Sequence, residues 1–127
     1  MTSPSRRLHA RFSCRVPFIV TKSRKPKPAQ GYLLNVGMGG AFAQAQGDME
    51  DRRKFQLQVT LESRIFLVEA EVIWNGGADP KDPKSAFYGF RFIDAEANRA
   101  QVRLLVDRIR SESGGEGGPR ISRNYWN

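Results

Sequence analysis

The chain has 127 residues, of which 39% are hydrophobic and 27% are charged; this composition is typical of a folded protein with one modest core. The longest apolar run, residues 65–68, is too short to cross a bilayer, and the N-terminus lacks the apolar stretch of a secretory signal. A single cysteine, Cys14, excludes an internal disulfide, so we expect a cytoplasmic protein without membrane insertion.

The net charge of +8 is unevenly distributed along the chain. Eight of the 21 basic residues precede the first acidic residue, Asp48, and the 13 that follow equal the 13 acidic residues in number. A basic segment joined to a neutral body indicates a local anion-binding site, because a uniformly basic surface would attract polyanions indiscriminately. A solvated basic arm without a ligand explains the charge alone equally well.

Apolar residues alternate with polar ones through most of the middle of the chain, which predicts strands with one face in a core. In residues 65–74 the predicted inward face runs from Phe66 to Trp74, and in residues 87–93 it comprises Tyr88, Phe90 and Phe92. Ser63 and Arg64 can form a tight hairpin turn. The predicted strands are residues 16–22, 31–36, 41–44, 55–61, 65–74 and 87–93.

Glycine- and proline-rich segments at residues 25–28, 37–40, 47–48 and 76–80 separate these strands. Six short antiparallel strands at this spacing favour a closed or nearly closed barrel, and therefore an all-β fold. A helix should follow the last strand, with Asp94 as its N-cap and an apolar stripe that closes one mouth of the barrel. The stripe comprises Val102, Leu105, Val106 and Ile109.

Residues 114–118 are typical of a flexible linker, and the segment after them contains Tyr125 and Trp126. These two aromatic side chains could anchor a contact on this molecule or on another one. A frayed tail is the simpler alternative.

Catalysis is not expected from these residues. His9 is the only histidine, so neither a histidine metal cluster nor a catalytic triad can be assembled. Glu69 and Glu71 lie on one face of a predicted strand, where they are typical of an ordinary exposed surface. Neither the glycine-rich segment at 37–40 nor the one at 76–80 has the residue spacing of a P-loop. We therefore predict no catalytic residue, no metal site and no enzyme.

Two arginines near the N-terminus are better candidates for a binding function. Arg7 and Arg11 are separated by three residues, and Arg6 precedes them. Guanidinium groups can bind a phosphate bidentately, hydrogen-bond the O6/N7 edge of guanine or stack on a purine. Such an RxxxR segment also occurs by chance in basic tails.

The second candidate element is the glycine-rich turn at residues 35–40, between two predicted strands. Gly37, Gly39 and Gly40 permit positive φ and the close approach of backbone N–H groups to a ligand. The Asn35 amide offers one donor and one acceptor side to a base edge. A plain hairpin turn remains the alternative for this segment alone.

The two elements in this order resemble the signature of the PilZ family, which is an RxxxR segment followed by a [D/N]x[S/A]xxG turn between the second and third strands. Arg7 and Arg11 match the first element, and Asn35 and Gly40 match the outer positions of the second. Residues 70–74 and 88–94 are similar to later strands of the family. The resemblance implies a six-stranded antiparallel PilZ-type β-barrel with a C-terminal α-helix.

The resemblance also implies a bacterial receptor for the second messenger cyclic di-GMP, which changes conformation or partner binding when the nucleotide binds. A protein partner is expected, and no cofactor. The implied divisions are a flexible basic arm at 1–11, a barrel with its helix at 12–110, and a glycine-rich linker and tail at 111–127. The residues implied to bind the nucleotide are Arg6, Arg7, Arg11, Asn35, Gly37, Gly39 and Gly40.

Gly37 departs from the family pattern, because a serine is usual there. Loss of one side-chain hydrogen bond costs about 0.5–1.5 kcal/mol, which would weaken binding without abolishing it. A degenerate PilZ-like adaptor that binds proteins without the nucleotide is therefore the alternative function. A nucleic-acid-binding barrel is disfavoured, because the aromatic residues of 87–92 are predicted to point inward rather than to form an exposed stacking surface.

Overall fold

The computed structural model describes residues 10–21, 27–47, 49 and 53–113. Six antiparallel strands close into a barrel in the order β1-β2-β3-β6-β5-β4, and one helix follows them. This architecture confirms the predicted all-β barrel with a C-terminal helix. The elements are β1 (Arg11–Thr21), β2 (Gln30–Gly37), β3 (Gly40–Gln46), β4 (Lys54–Leu61), β5 (Arg64–Asp79), β6 (Asp82–Phe92) and α1 (Glu96–Ser113).

The barrel interior is filled by the inward half of each alternating strand pattern. Phe90 of β6 packs edge-to-face against Phe18 of β1, with ring centroids 5.8 Å apart. Tyr88 and Phe92 are buried beside Phe90, as predicted. The apolar stripe of α1 belongs to the same core, and all four of its predicted members are buried.

Helix α1 is fastened to the barrel by a buried polar side chain. The Asn98 amide nitrogen donates to the carbonyl oxygens of Glu69 and Ile93, both at 2.9 Å, and its Oδ1 accepts from the Glu69 N–H at 2.7 Å. The Glu69 N–H thereby gains a partner, and the carbonyl oxygens of Glu69 and Ile93, which also accept from the N–H groups of Ile93 and Ala95, each gain a second donor. The helix therefore has a fixed position against the barrel.

Several boundaries differ from the sequence prediction, including the starts of β1 and β6, which lie at Arg11 and Asp82 rather than at residues 16 and 87. The β4–β5 turn is Glu62–Ser63 rather than Ser63–Arg64, and both residues have positive φ, 53° and 69°, as a two-residue hairpin turn requires. Helix α1 begins at Glu96, with the Ala95 carbonyl accepting the first helical bond, so Asp94 lies one residue before the cap. Residues 76–80 do not interrupt a strand, because β5 continues to Asp79.

Register shifts bend several strand pairs and change which side chains face outward. They occur between Ser13 and Val16 in β1, between Leu33 and Asn35 in β2, and at three points of the β5–β6 pairing. One of these three lies between Val72 and Trp74, so that Val72 is buried while Trp74 is 50% exposed. The prediction that Trp74 belongs to the inward face is therefore wrong.

Within the part of the chain that the structure describes, no helix has the length and apolar character needed to cross a membrane.

Candidate functional site

Arg11 and the glycine-rich turn meet on the outside of the barrel. Arg11 is the first residue of β1 and pairs with Gly37, the last residue of β2. One guanidinium nitrogen of Arg11 donates a hydrogen bond of 2.8 Å to Oδ1 of Asn35. Because the Asn35 amide is neutral, this bond orients the guanidinium without cancelling its charge. Arg11 and Asn35, one residue from each candidate element, are thus in direct contact.

The remaining candidate residues are distributed as follows. Arg6 and Arg7 lie outside the described residues, as do His9 and the tail with Tyr125 and Trp126. Gly39 is exposed in the β2–β3 turn, and its carbonyl oxygen accepts a bond of 3.0 Å from the Phe92 N–H. This bond connects the turn to the end of β6 and so to the start of α1.

Gly37 and Gly40 lack side chains because neighbouring backbone occupies the space. A Cβ on Gly37 would lie 2.4 Å from the Ala10 carbonyl oxygen, and one on Gly40 would lie 2.1 Å from that of Phe90. Among the described glycines only Gly47 and Gly77 have positive φ. Close approach of the chain, rather than the positive φ suggested by the sequence, is therefore the reason for glycine in the turn. The same contact leaves no room for a serine at position 37.

A row of outward residues extends from Asn35 around the barrel. Asn35 of β2 pairs with Phe42 of β3, Phe42 pairs with Gly89 of β6, and Gly89 pairs with Trp74 of β5. The ring centroids of Phe42 and Trp74 lie 5.9 Å apart, and the Phe87 ring stacks on Phe42 with a centroid distance of 5.6 Å. An arginine, an amide and an aromatic cluster therefore adjoin one another across five strands.

Two glycines create the space that the Trp74 ring occupies. A Cβ on Gly76 would lie 2.2 Å from an atom of the indole, and one on Gly89 would lie 3.2 Å from the Trp74 Cβ. The indole therefore lies against bare backbone and keeps a half-exposed face for stacking. Sequence reasoning missed Trp74. The signal that could have revealed it is the combination of Gly76 after it and Gly89 in the opposite strand.

Cys14 and Glu71 are both buried. Burial raises the pKa of the Cys14 thiol to about 12, with a smaller contribution from the negative charge of Glu112, which favours the protonated thiol at neutral pH. Glu71 is buried and ion-paired with Arg91, which corrects the prediction that it is exposed like Glu69. No group of three or more His, Cys, Asp or Glu side chains in the described ranges could hold a metal ion.

Comparison with known proteins identifies the family. The sequence model of the PilZ domain matches residues 5–108, which is most of the chain. The chain belongs to the PilZ domain family. A search of curated protein sequences found no match.

Several solved PilZ structures share the fold. The PilZ domain of Escherichia coli YcgR with c-di-GMP superposes with a TM-score of 0.66 at 20% identity, covering 84% of this chain and 93% of that one. Full YcgR in complex with c-di-GMP gives a TM-score of 0.64 at 20% identity, covering 84% of this chain and 47% of that one. The PilZ domain of CeSA, from a cellulose-synthesizing bacterium, gives 0.61 at 17% identity, with coverages of 80% and 98%. At these identities the likeness establishes the PilZ fold.

Proposed function

We propose that this PilZ domain binds cyclic di-GMP on the outer face of its barrel and changes its conformation or its binding of a protein partner in response. The hydrogen bond between Arg11 and Asn35 carries the proposal, because it brings one residue from each element of the PilZ signature into contact. The shared fold with a YcgR domain bound to c-di-GMP supports it. The charge at the start of the chain suits an anionic ligand.

The chemistry of this surface suits both halves of the ligand. Cyclic di-GMP carries two phosphates and two guanines, and guanidinium groups can hydrogen-bond the phosphates and stack on the purines. Arg6 and Arg7, in the segment that leads to β1, would add to the charge that Arg11 provides. Asn35 would hydrogen-bond a guanine edge, and Trp74 would supply a stacking surface at the far end of the row.

The glycines of the turn act through shape in this proposal. Gly37 and Gly40 allow neighbouring backbone to pack directly against the turn, and Gly39 leaves the exposed turn without a side chain that would cover a bound nucleotide. We also propose that the expected arm at 1–11 orders on the nucleotide up to Arg11, which already belongs to β1, and that 12–110 and 111–127 form the barrel unit and a linker with its tail. The site of action would be the cytoplasm.

Isothermal titration calorimetry with cyclic di-GMP tests the binding site. Arg11→Ala should weaken binding by about tenfold to a hundredfold, because a charge-assisted hydrogen bond is lost. Asn35→Ala should weaken it by a smaller factor. Arg64→Ala is the matched control, since Arg64 is exposed at the start of β5, outside the row. Absence of heat from folded wild-type protein at high micromolar nucleotide would reject the proposal.

A second candidate function is that of an adaptor which binds a protein partner without the nucleotide. The position of the Ala10 carbonyl favours it, because no serine hydroxyl can be placed at Gly37. Partner capture from lysate by immobilised wild-type protein, with and without cyclic di-GMP, separates the two functions. A receptor should capture its partner to different extents in the two conditions, and Arg11→Ala should remove the difference. A pure adaptor should show no difference in either protein.

A further inference from the structure

A groove of about 550 Å³ lies on the same outer face as the proposed site, further along β1 and β2. Its walls come from β1, β2, β3 and the start of β6, and they include an arginine, a tyrosine and three glutamines. The residues used below are Arg15, Tyr32, Gln30, Gln44 and Gln46.

One wall of the groove is a planar stacking surface. The guanidinium carbon of Arg15 lies 3.8 Å from the centroid of the Tyr32 ring, which places the cation directly over the aromatic face. Both side chains are exposed, Tyr32 to 37%. A guanidinium held in this way can present its other face to a further flat ring, because it is planar and only weakly hydrated.

The floor of the groove is bare backbone. A Cβ on Gly31 would lie 2.0 Å from the Gln44 carbonyl oxygen, so β2 and β3 approach more closely here than a side chain would allow. The Gln44 amide nitrogen donates a hydrogen bond of 2.7 Å to the Asp79 carboxylate, which fixes the orientation of the amide. Gln30 and Gln46 are exposed on the neighbouring strands. Amide groups around a flat slot can provide the donors and acceptors that read a purine edge.

The position of the groove relates it to the proposed site. Arg15 follows Arg11 by four residues on the same side of β1, and Tyr32 precedes Asn35 by three residues in β2. Because a strand rises about 3.3 Å per residue, the Arg15–Tyr32 pair and the Arg11–Asn35 pair lie about 10–13 Å apart. A cyclic dinucleotide carries its two bases on opposite sides of one phosphodiester ring, so a single ligand can address two places along a face.

We infer that this groove holds the second guanine of the bound cyclic di-GMP, stacked on Arg15 and Tyr32 and hydrogen-bonded by the glutamine amides, while Arg11 and Asn35 hold the other half of the nucleotide. This inference rests on the proposed function. It assigns to Arg15 and Tyr32 a share of the affinity that the PilZ signature residues do not account for.

Calorimetry on groove variants tests the inference. Tyr32→Ala should weaken binding of cyclic di-GMP by about tenfold, because one base loses its stacking surface. Tyr32→Phe keeps the ring and should bind within about twofold of wild type. Arg15→Ala should weaken binding to the same extent as Tyr32→Ala, and Arg64→Ala should again leave binding unchanged. Thermal unfolding midpoints equal to that of wild type in all four variants would show that the losses arise in binding.

A second measurement locates the ligand directly. In ¹H–¹⁵N spectra of wild-type protein, saturating cyclic di-GMP should shift the side-chain amide signals of Gln30, Gln44 and Gln46, and Tyr32→Ala should reduce these shifts. If wild-type protein binds the nucleotide while Tyr32→Ala and Arg15→Ala bind equally well and the glutamine signals stay unmoved, the groove inference is overturned and the proposed function stands. If wild-type protein does not bind at all, both are overturned.

Discussion

The interior and the outer face of this barrel are built from alternate residues of the same strands, yet they follow different rules. The interior is a continuous apolar core in which Leu33, Val59 and Phe90 are almost completely buried. On the outer face, Arg11 and Asn35 lie next to an aromatic cluster because of the register of the strand pairs and the bulges in them. Stability should therefore depend on one set of residues and binding on the other, although the two sets adjoin along every strand.

The largest expected effect is on the interior. Phe90→Ala should lower the free energy of unfolding by about 3–5 kcal/mol, because it removes a buried ring that packs edge-to-face on Phe18. The matched outer variant is Phe42→Ala, which removes a partly exposed ring from the aromatic cluster. Urea denaturation of both proteins measures the contrast. An equal loss in the two variants would contradict the separation of the faces.

The interior could be predicted from the sequence because burial and strand geometry both act with a period of two residues. Tyr88, Phe90 and Phe92 alternate without interruption, and all three are buried as expected. The stripe of α1 was predictable for the same reason, since its spacing matches one face of a helix. In both cases a local pattern determines the direction of every side chain.

The outer face could be predicted only in part. Asn35 and Arg11 were recognisable by residue type and order, but their contact depends on the pairing of β1 with β2, which no local pattern specifies. Trp74 was assigned to the wrong face because a register shift after Val72 breaks the alternation. The Arg15–Tyr32 pair likewise arises from two strands that are distant in sequence.

A second prediction concerns Asn98, a buried polar residue of α1. Asn98→Ala should cost about 2–3 kcal/mol of stability, because the Glu69 N–H loses its partner and the carbonyl oxygens of Glu69 and Ile93 each lose one of two donors. Asn75→Ala is the control, since Asn75 is exposed and its side chain bonds only the Gly77 N–H among the contacts seen. Thermal unfolding compares the two variants. A small loss for Asn98→Ala would mean that water replaces the amide and that α1 is held by its apolar stripe alone.

Gly37 lies at the junction of the two regions, and restoring the serine that is usual in the family should be harmful here. Gly37→Ser should cost about 2 kcal/mol, because its Cβ would overlap the Ala10 carbonyl oxygen and displace the start of β1. Since Arg11 follows Ala10 directly, cyclic di-GMP binding should weaken as well. Calorimetry and denaturation of the variant check both effects. Tighter binding would show instead that the backbone yields and that the serine hydroxyl reaches the ligand.

The last prediction compares the two faces at two neighbouring residues of β1, Ser13 and Cys14. Its effect on stability at neutral pH is the smallest. Cys14 points inward, where burial raises its pKa to about 12 from an ordinary value of 9.0, while Ser13 pairs outward with Asn35. The folded state therefore retains the thiol proton more tightly than the unfolded state does. The stability that this provides is fully present below pH 9.0 and is lost as the pH rises toward 12.

At pH 8 the folded wild-type protein should consequently resist alkylation by iodoacetamide until it unfolds. A Ser13→Cys variant that also carries Cys14→Ser should react readily in the folded state, and bound cyclic di-GMP should slow that reaction because Ser13 adjoins Asn35. Mass spectrometry after timed alkylation measures both rates. Rapid modification of native Cys14 would show that β1 opens on its own, so that the interior and the outer face would not be independent along this strand.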